Sequence, residues 1–105
     1  MTWADEIDLA LRRSGGGLTS LDLLRWLRAG QAQLFVCGTM HGSLWYRDGG
    51  AELAHVAGSW DDGCARWLLK RATQAALQRG IERIEINGRP GWRRFLMMKG
   101  FTDGR

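Results

Sequence analysis

Few side chains in this sequence have the types and spacing that catalysis or metal binding requires. His41 and His55 have no partners at metal-ligand spacing, and the chain has no Cys-x-x-Cys motif, so we predict no metal site. Cys37 ends an apolar run, where a buried and inert thiol is the expected state. Tyr46 is the only tyrosine. These residues alone predict no reactive centre.

Tryptophan and arginine indicate a contact surface instead. Six tryptophans in 105 residues are more than a core of this size accommodates easily, so some of them are expected to face a partner. Trp92, Arg93 and Arg94 are adjacent, and both residue types are favoured at interface hot spots. We therefore predict an interface at these three residues and at Trp60.

The composition is that of one small globular domain. The 105 residues leave room for a single core, and no segment approaches the roughly 18 apolar residues that cross a bilayer. The acidic N-terminus lacks the features of a secretion signal, so a cytoplasmic setting is expected. In that setting Cys37 and Cys64 are predicted to be free thiols.

Charge is distributed unevenly along the chain. Residues 66–105 contain ten Lys or Arg against three Asp or Glu, a net +7, while the whole chain carries +4. A basic half of this kind can bind nucleic acid, an acidic protein or a polyphosphate cofactor. A solvated helix face explains the same charges equally well.

The periodicity of apolar residues predicts the elements that position these groups. Thr2 and Thr19 or Ser20 are expected to cap two helices, with Trp26 in the core. An apolar run at 34–37 predicts a central strand, followed by a turn at 38–42. A strand at 43–46, a hairpin turn at 48–50 and a strand at 51–56 complete an antiparallel meander.

The rest of the chain alternates between helices and strands. A long helix is predicted over 61–79 with Trp67 in the core, then a strand at 81–86 and a last helix that begins near Pro90. Phe101 is expected to begin a short final strand. We thus predict one α/β (α+β) domain over residues 1–105, with a mixed sheet and two N-terminal helices.

The second half of the chain resembles the GNAT family of N-acetyltransferases. Family members run an acidic strand residue, a turn of the form Arg/Gln-x-x-Gly-x-Gly/Ala, a Leu-Leu-x-x-Ala helix, a strand, and a helix before Gly-Phe. The matching stretches cover about half the chain, and they are 51–53, 60–65, 68–72 and 95–101.

The resemblance implies specific roles for a few residues. Gly63, Cys64 and Ala65 would hold the pyrophosphate of acetyl-coenzyme A at a helix N-terminus. Glu52 falls where the family places a general base that acts on the substrate amine, although an outward-facing strand carboxylate fits the alternation as well. The family's tyrosine, which protonates the departing thiolate, is replaced by Leu96.

The turn itself also departs from the family pattern. Trp60 replaces the usual Arg or Gln, and Asp61 and Asp62 place two carboxylates where phosphates would lie. The same two aspartates can serve as helix cap and dipole partners. These departures favour a protein with no catalysis and no cofactor.

Three functions remain open from the sequence. The shortened pattern, with the stretch 88–96 before Gly100-Phe101 and the altered cofactor turn, is similar to acetyltransferase-like internal or structural proteins of short-tailed phages. This resemblance implies a scaffold in the host cytoplasm or virion that assembles with virion components, other protein chains or itself. The first alternative is an active N-acetyltransferase that uses acetyl-coenzyme A. The second is a basic nucleic-acid-binding protein.

Overall fold

The chain has mixed α+β architecture in the expected order of elements. A computed structural model describes residues 2–14, 17–81 and 84–86, and the helix predicted near Pro90 and the strand predicted at Phe101 lie outside them. The elements are α1 Trp3–Ser14, α2 Ser20–Arg28, β1 Ala32–Cys37, β2 Met40–Arg47, β3 Gly50–Ala57, α3 Asp62–Gln78 and β4 Ile84–Ile86.

Both N-terminal helices begin at the predicted threonine caps. Thr2 Oγ1 accepts a hydrogen bond from the Asp5 amide at 3.2 Å, and Thr19 Oγ1 accepts one from the Asp22 amide at 3.3 Å. The Asp22 carboxylate accepts in turn from the Thr19 amide at 2.9 Å, which completes a capping box. These contacts fix where each helix starts.

The described strands form one mixed sheet in the order β1-β2-β3-β4. The first three strands are an antiparallel meander, and β3 pairs with β4 in parallel. The predicted hairpin turn is confirmed at Asp48 and Gly49. Their φ angles of 55° and 72° are both positive, as a two-residue type I′ hairpin turn requires. The predicted turn at 38–42 is too long, because β2 already begins at Met40.

The prediction of a central strand at 34–37 is wrong, because β1 lies at one end of the four described strands. Its apolar pattern comes from helices on both faces. Phe35 belongs to the core under α3, whereas Ala32 and Leu34 pack in the core under α1 and α2. Coverage on both faces therefore produced the signal of an interior strand.

The sheet separates two apolar cores. Under α3, Leu44, Leu53 and Val56 pack against Ala65 and Leu68. The other face packs against α1 and α2 through Ile7, Leu11, Leu23, Trp45 and Ala54.

A β-bulge in β3 determines which side chains reach the second core. Ser43 pairs with His55 and the next residue, Leu44, pairs with Leu53, so Ala54 is the extra residue. A bulge of this kind interrupts the alternation of side chains and re-aims those that follow it. Ala54 and His55 consequently both lie on the face covered by α1.

The helix α3 is the longest that the structure describes, with 17 residues. Asp61 caps its start, and Gly80, with φ of 73°, follows its end. No helix within the described ranges is both long and apolar enough to cross a membrane.

The prediction of free thiols is wrong, because Cys37 and Cys64 form a disulfide. Their Cα atoms lie 5.4 Å apart, within the range that disulfides require. The bond joins the end of β1 to the first turn of α3 across 27 residues of sequence. The two thiols belong to separate elements of the sequence, and no local pattern indicates their approach.

Candidate functional site

The turn before α3 is closed by the protein's own groups. The Asp61 carboxylate accepts a hydrogen bond from the Cys64 amide at 2.9 Å, and the Asp61 carbonyl accepts from the Ala65 amide at 2.8 Å. The indole N–H of Trp60 donates to Asp62 Oδ1 at 2.6 Å. Two of the amides that the resemblance assigns to a cofactor are therefore already used within the turn.

The disulfide further restricts this turn. Cys64 is bonded to Cys37, so its side chain is directed at the β1–β2 turn. Ala65, in the first turn of α3, is completely buried in the core between this helix and the sheet. At Gly63, an added Cβ would lie 3.2 Å from Asp61 Oδ1, so the capping carboxylate lies against the glycine that would have to approach a phosphate.

Glu52 lies on the opposite face of the sheet from this turn. Its neighbours Ala51 and Leu53 belong to the core under α3, so alternation directs Glu52 towards the side of α1 and α2. Glu52 is 9% exposed, and Arg47 Nη2 donates to its Oε1. Glu52 thus lies on the face opposite Leu53, as the alternation predicts, but its side chain is buried in an ion pair and does not face outwards.

A cavity of about 290 Å³ adjoins this ion pair. Arg47 and Glu52 line it together with Asp48 and with Glu85, which is the register partner of Glu52 on β4. Three carboxylates and one guanidinium give the lining a net negative charge. Within residues 2–14, 17–81 and 84–86, no group of three His, Cys, Asp or Glu side chains is arranged to hold a metal ion.

Tyr46 does not supply the family's missing acid. It lies on the α3 face of the sheet, its hydroxyl donates to Gln33 Oε1, and Arg79 lies 3.8 Å above its ring. Burial raises the pKa of Tyr46, and the Arg79 charge opposes that shift. Tyr46 and Glu52 therefore face opposite sides of the sheet.

The tryptophans differ from the prediction in which of them are buried and which are exposed. Trp67 is 41% exposed, so its predicted core position is wrong, because this side of α3 faces the open groove beside β1. Trp26 is partly buried against the core under α1 and α2. Trp60, predicted at an interface, is 37% exposed. The other predicted interface residues, at 92–94, lie outside the described residues.

A buried polar network, which sequence reasoning missed, joins α1 to the sheet. His41 Nδ1 lies 2.7 Å from His55 Nε2, and His41 Nε2 lies 3.0 Å from Glu6 Oε2. At the other end, His55 Nδ1 lies 2.9 Å from Ser43 Oγ, which accepts from the Trp45 indole at 2.8 Å. His41, Ser43, Trp45 and His55 are completely buried.

When both histidine rings are neutral, the donors and acceptors of this network have one consistent direction. An ionised Glu6 only accepts, so His41 Nε2 carries a proton and, in the neutral ring, its Nδ1 accepts. His55 must then donate from Nε2 and accept at Nδ1 from the Ser43 hydroxyl. Every bond points towards Glu6, so each one polarises the next.

The surroundings of the network oppose a positive charge at its centre. Burial and, to a smaller extent, the neighbouring His41 lower the pKa of His55 to about 3. Trp3 stacks on the His41 ring with centroids 4.7 Å apart and covers it. Among the five residues of this network, only Glu6 reaches solvent, with its side chain 27% exposed.

A serine that donates to an oriented histidine is the arrangement of a nucleophile and its base. Here Ser43 is completely buried and its oxygen already accepts from Trp45, so no reactant can approach it in this structure. The network instead attaches α1 to the sheet through Glu6. A signal for it existed in the alternating His41, Ser43 and Trp45, but only the bulge brings His55 to the same face.

No protein-family model, curated protein or solved structure shows a significant match to this chain.

Proposed function

We propose that this chain is a non-catalytic scaffold domain with a GNAT-like arrangement of elements, which acts by associating with other protein chains. The observation that carries the proposal is the closed turn before α3. Asp61 accepts the Cys64 amide there, and Cys64 is bonded to Cys37. A cofactor pyrophosphate at this turn would have to displace the protein's own carboxylate.

The charge of the turn supports the same conclusion. Asp61 and Asp62 are both exposed at the N-terminus of α3, where their carboxylates already complement the helix dipole. Salt screens exposed charges in part, but the repulsion between carboxylates and phosphates keeps its sign. The helix end therefore favours its own anions over an incoming one.

The position of Glu52 argues against the acetyltransferase alternative. A general base must lie within hydrogen-bond reach of the amine that attacks the cofactor. Glu52 lies on the face of the sheet opposite α3, and its Oε1 accepts from Arg47. The base and the turn that the resemblance pairs are therefore separated by the sheet.

Exposed apolar side chains support association with protein partners. Trp60 is 37% exposed and Trp67 is 41% exposed, and tryptophan is among the residue types enriched at interface hot spots. A role in virion assembly remains a prediction, since it depends on the resemblance stated for the sequence.

Calorimetric titration with acetyl-coenzyme A tests the proposal directly. We expect no heat of binding from the wild-type protein with its disulfide intact. The matched variant is Gly63→Asp, which adds a third carboxylate to the turn. Micromolar binding by the wild-type protein would overturn the proposal, and its loss in Gly63→Asp would place the cofactor at this turn.

A further inference from the structure

We infer that the outer edge of β1 is a docking site for an extended acidic segment of a partner protein, which adds to the sheet as a further strand. The inference rests on the proposed function, because it names the class of partner that the scaffold binds. Strand addition to an exposed sheet edge is a general mode of peptide recognition, in which main-chain hydrogen bonds provide affinity.

The backbone of β1 is positioned for strand addition. The Tyr46 amide donates to the Gln31 carbonyl at 2.9 Å, so Gln31 and every second residue after it direct their peptide groups at β2. The intervening residues, Ala32, Leu34 and Val36, direct theirs at the opposite edge. No strand in the described part of the chain pairs with that edge.

A groove of about 690 Å³ runs beside this edge. Leu34 and Val36 of β1 line it, Leu27 borders it on the α2 side, and Trp67 and Arg71 border it on the α3 side. Val36 is 40% exposed and Trp67 is 41% exposed. An added strand would therefore meet apolar surface on one face and an aromatic and cationic surface on the other.

The charge around the groove selects the occupant. Arg66, Lys70 and Arg71 are exposed along α3, whose only acidic residue is Asp62 in the first turn. The Arg71 guanidinium lies 6.0 Å from the Trp67 ring centroid, which places its charge beside the groove. A second copy of the chain would bring the same cations to the edge, whereas an acidic strand would pair with them.

The alternation of a strand matches this asymmetry. In an extended segment, successive side chains point to opposite faces, so alternating Val and Glu would direct all carboxylates to one side. That segment would place its glutamates beside Arg71 and its valines beside Leu27. We therefore use as probe a blocked, dye-labelled peptide of seven residues that alternates Glu and Val, with a Lys and Val peptide as its control.

Val36→Pro tests the backbone contribution. Proline removes an N–H that faces away from β2, and edge strands tolerate it there, while Val36→Ala keeps the N–H and serves as the matched control. We expect fluorescence anisotropy to show at least about tenfold weaker binding of the acidic peptide to Val36→Pro than to Val36→Ala. Equal affinity for the two variants, or no binding to either, would overturn the inference.

Arg71→Glu tests the charge at a surface position whose substitution leaves the strands intact. We expect this variant to reverse the preference of the wild type, so that it binds the Lys and Val peptide more tightly than the Glu and Val peptide. An unchanged preference would contradict the assignment of the acidic face to Arg71. If circular dichroism shows that Val36→Pro does not fold, the peptide preference of Arg71→Glu still tests the inference.

Two other occupants are outcomes of the same experiments. If a single-stranded oligonucleotide displaces the peptide and binds Val36→Pro and Val36→Ala equally, the basic surface binds polyanions without strand addition, and the inference is wrong. If sedimentation shows that the wild type is a dimer and that Val36→Pro is a monomer, the edge binds a second copy of the chain. That result would also overturn the inference. If the wild-type protein binds acetyl-coenzyme A and also binds the acidic peptide, the proposed function is refuted but the docking site on β1 is not.

Discussion

Replacing His55 with glutamine should remove part of the acid sensitivity of the folded protein. His55 is completely buried between His41 and Ser43, and burial lowers its pKa from 6.5 to about 3. The folded state therefore keeps the ring neutral at a pH where the unfolded chain already protonates it. Glutamine offers both a donor and an acceptor but does not titrate in this range.

The sign and size of the effect follow from proton linkage. Because the folded pKa of His55 lies below the unfolded value, stability is lost as the pH falls through 6.5 and continues to fall towards about 3. One such group loses about 2 kcal/mol of unfolding free energy between about pH 8 and about pH 5. Thr2 lowers the pKa of Asp5, whose contribution is lost only below 3.8, outside this window.

Urea unfolding at a series of pH values measures this slope in the wild type and in His55→Gln. The comparison is of slopes, so a loss of stability in the variant that is the same at every pH does not affect it. The exposed carboxylates titrate in both proteins, so their contribution to the pH dependence of the unfolding free energy cancels in the comparison. Parallel curves over about pH 5 to 7 would refute the reasoning, because they would show that the ring carries no linked proton.

Three further perturbations test the network, the disulfide and the close approach of Gly58 to the backbone of Thr39. Ser43→Ala leaves two buried polar groups without their partner and should cost about 2–4 kcal/mol in urea unfolding, whereas Ser59→Ala at an exposed position should change it by less than about 0.5 kcal/mol. Reducing the disulfide, which closes a 27-residue separation, should lower the free energy of unfolding by about 3–4 kcal/mol, measured with and without reductant. Gly58→Ala should prevent stable folding, because φ is 94° and its Cβ would lie 1.9 Å from the Thr39 carbonyl oxygen. Gly49→Ala, with φ of 72° but open space, should cost only about 1–2 kcal/mol in a thermal melt.

The order of elements could be predicted because it depends on local signals. Threonine caps at Thr2 and Thr19, the turn at Asp48 and Gly49, and the apolar periodicity of α3 all act within a few residues of sequence. These signals need no knowledge of how the chain packs. The two N-terminal helices, the meander and the long helix are therefore confirmed.

Other features depend on contacts between distant residues. The disulfide forms because β1 ends beside the start of α3, and no spacing rule predicts that approach. Trp67 follows the helical periodicity of core residues but faces the groove, since only part of α3 is covered. The histidine network depends on the bulge at Ala54, which appears only in the pairing of β2 with β3.

The closed turn is also a consequence of tertiary structure. The sequence places Asp61 and Gly63 together, and it permits both a helix cap and a phosphate site. The observed hydrogen bond from the Cys64 amide to Asp61 corresponds to the cap. The ion pair of Glu52 with Arg47 likewise required the hairpin geometry of β2 and β3.

The extra residue in β3 is the one residue of this strand whose loss the pairing can absorb. Deleting Ala54 would leave Ser43 paired with His55 and Leu44 paired with Leu53 in regular register, so His55 would stay on the face of His41. A register shift that took Ala54 into regular alternation would instead turn His55 towards α3 and leave His41 without its partner. We therefore expect homologous chains to vary in length at this position while they keep the second histidine.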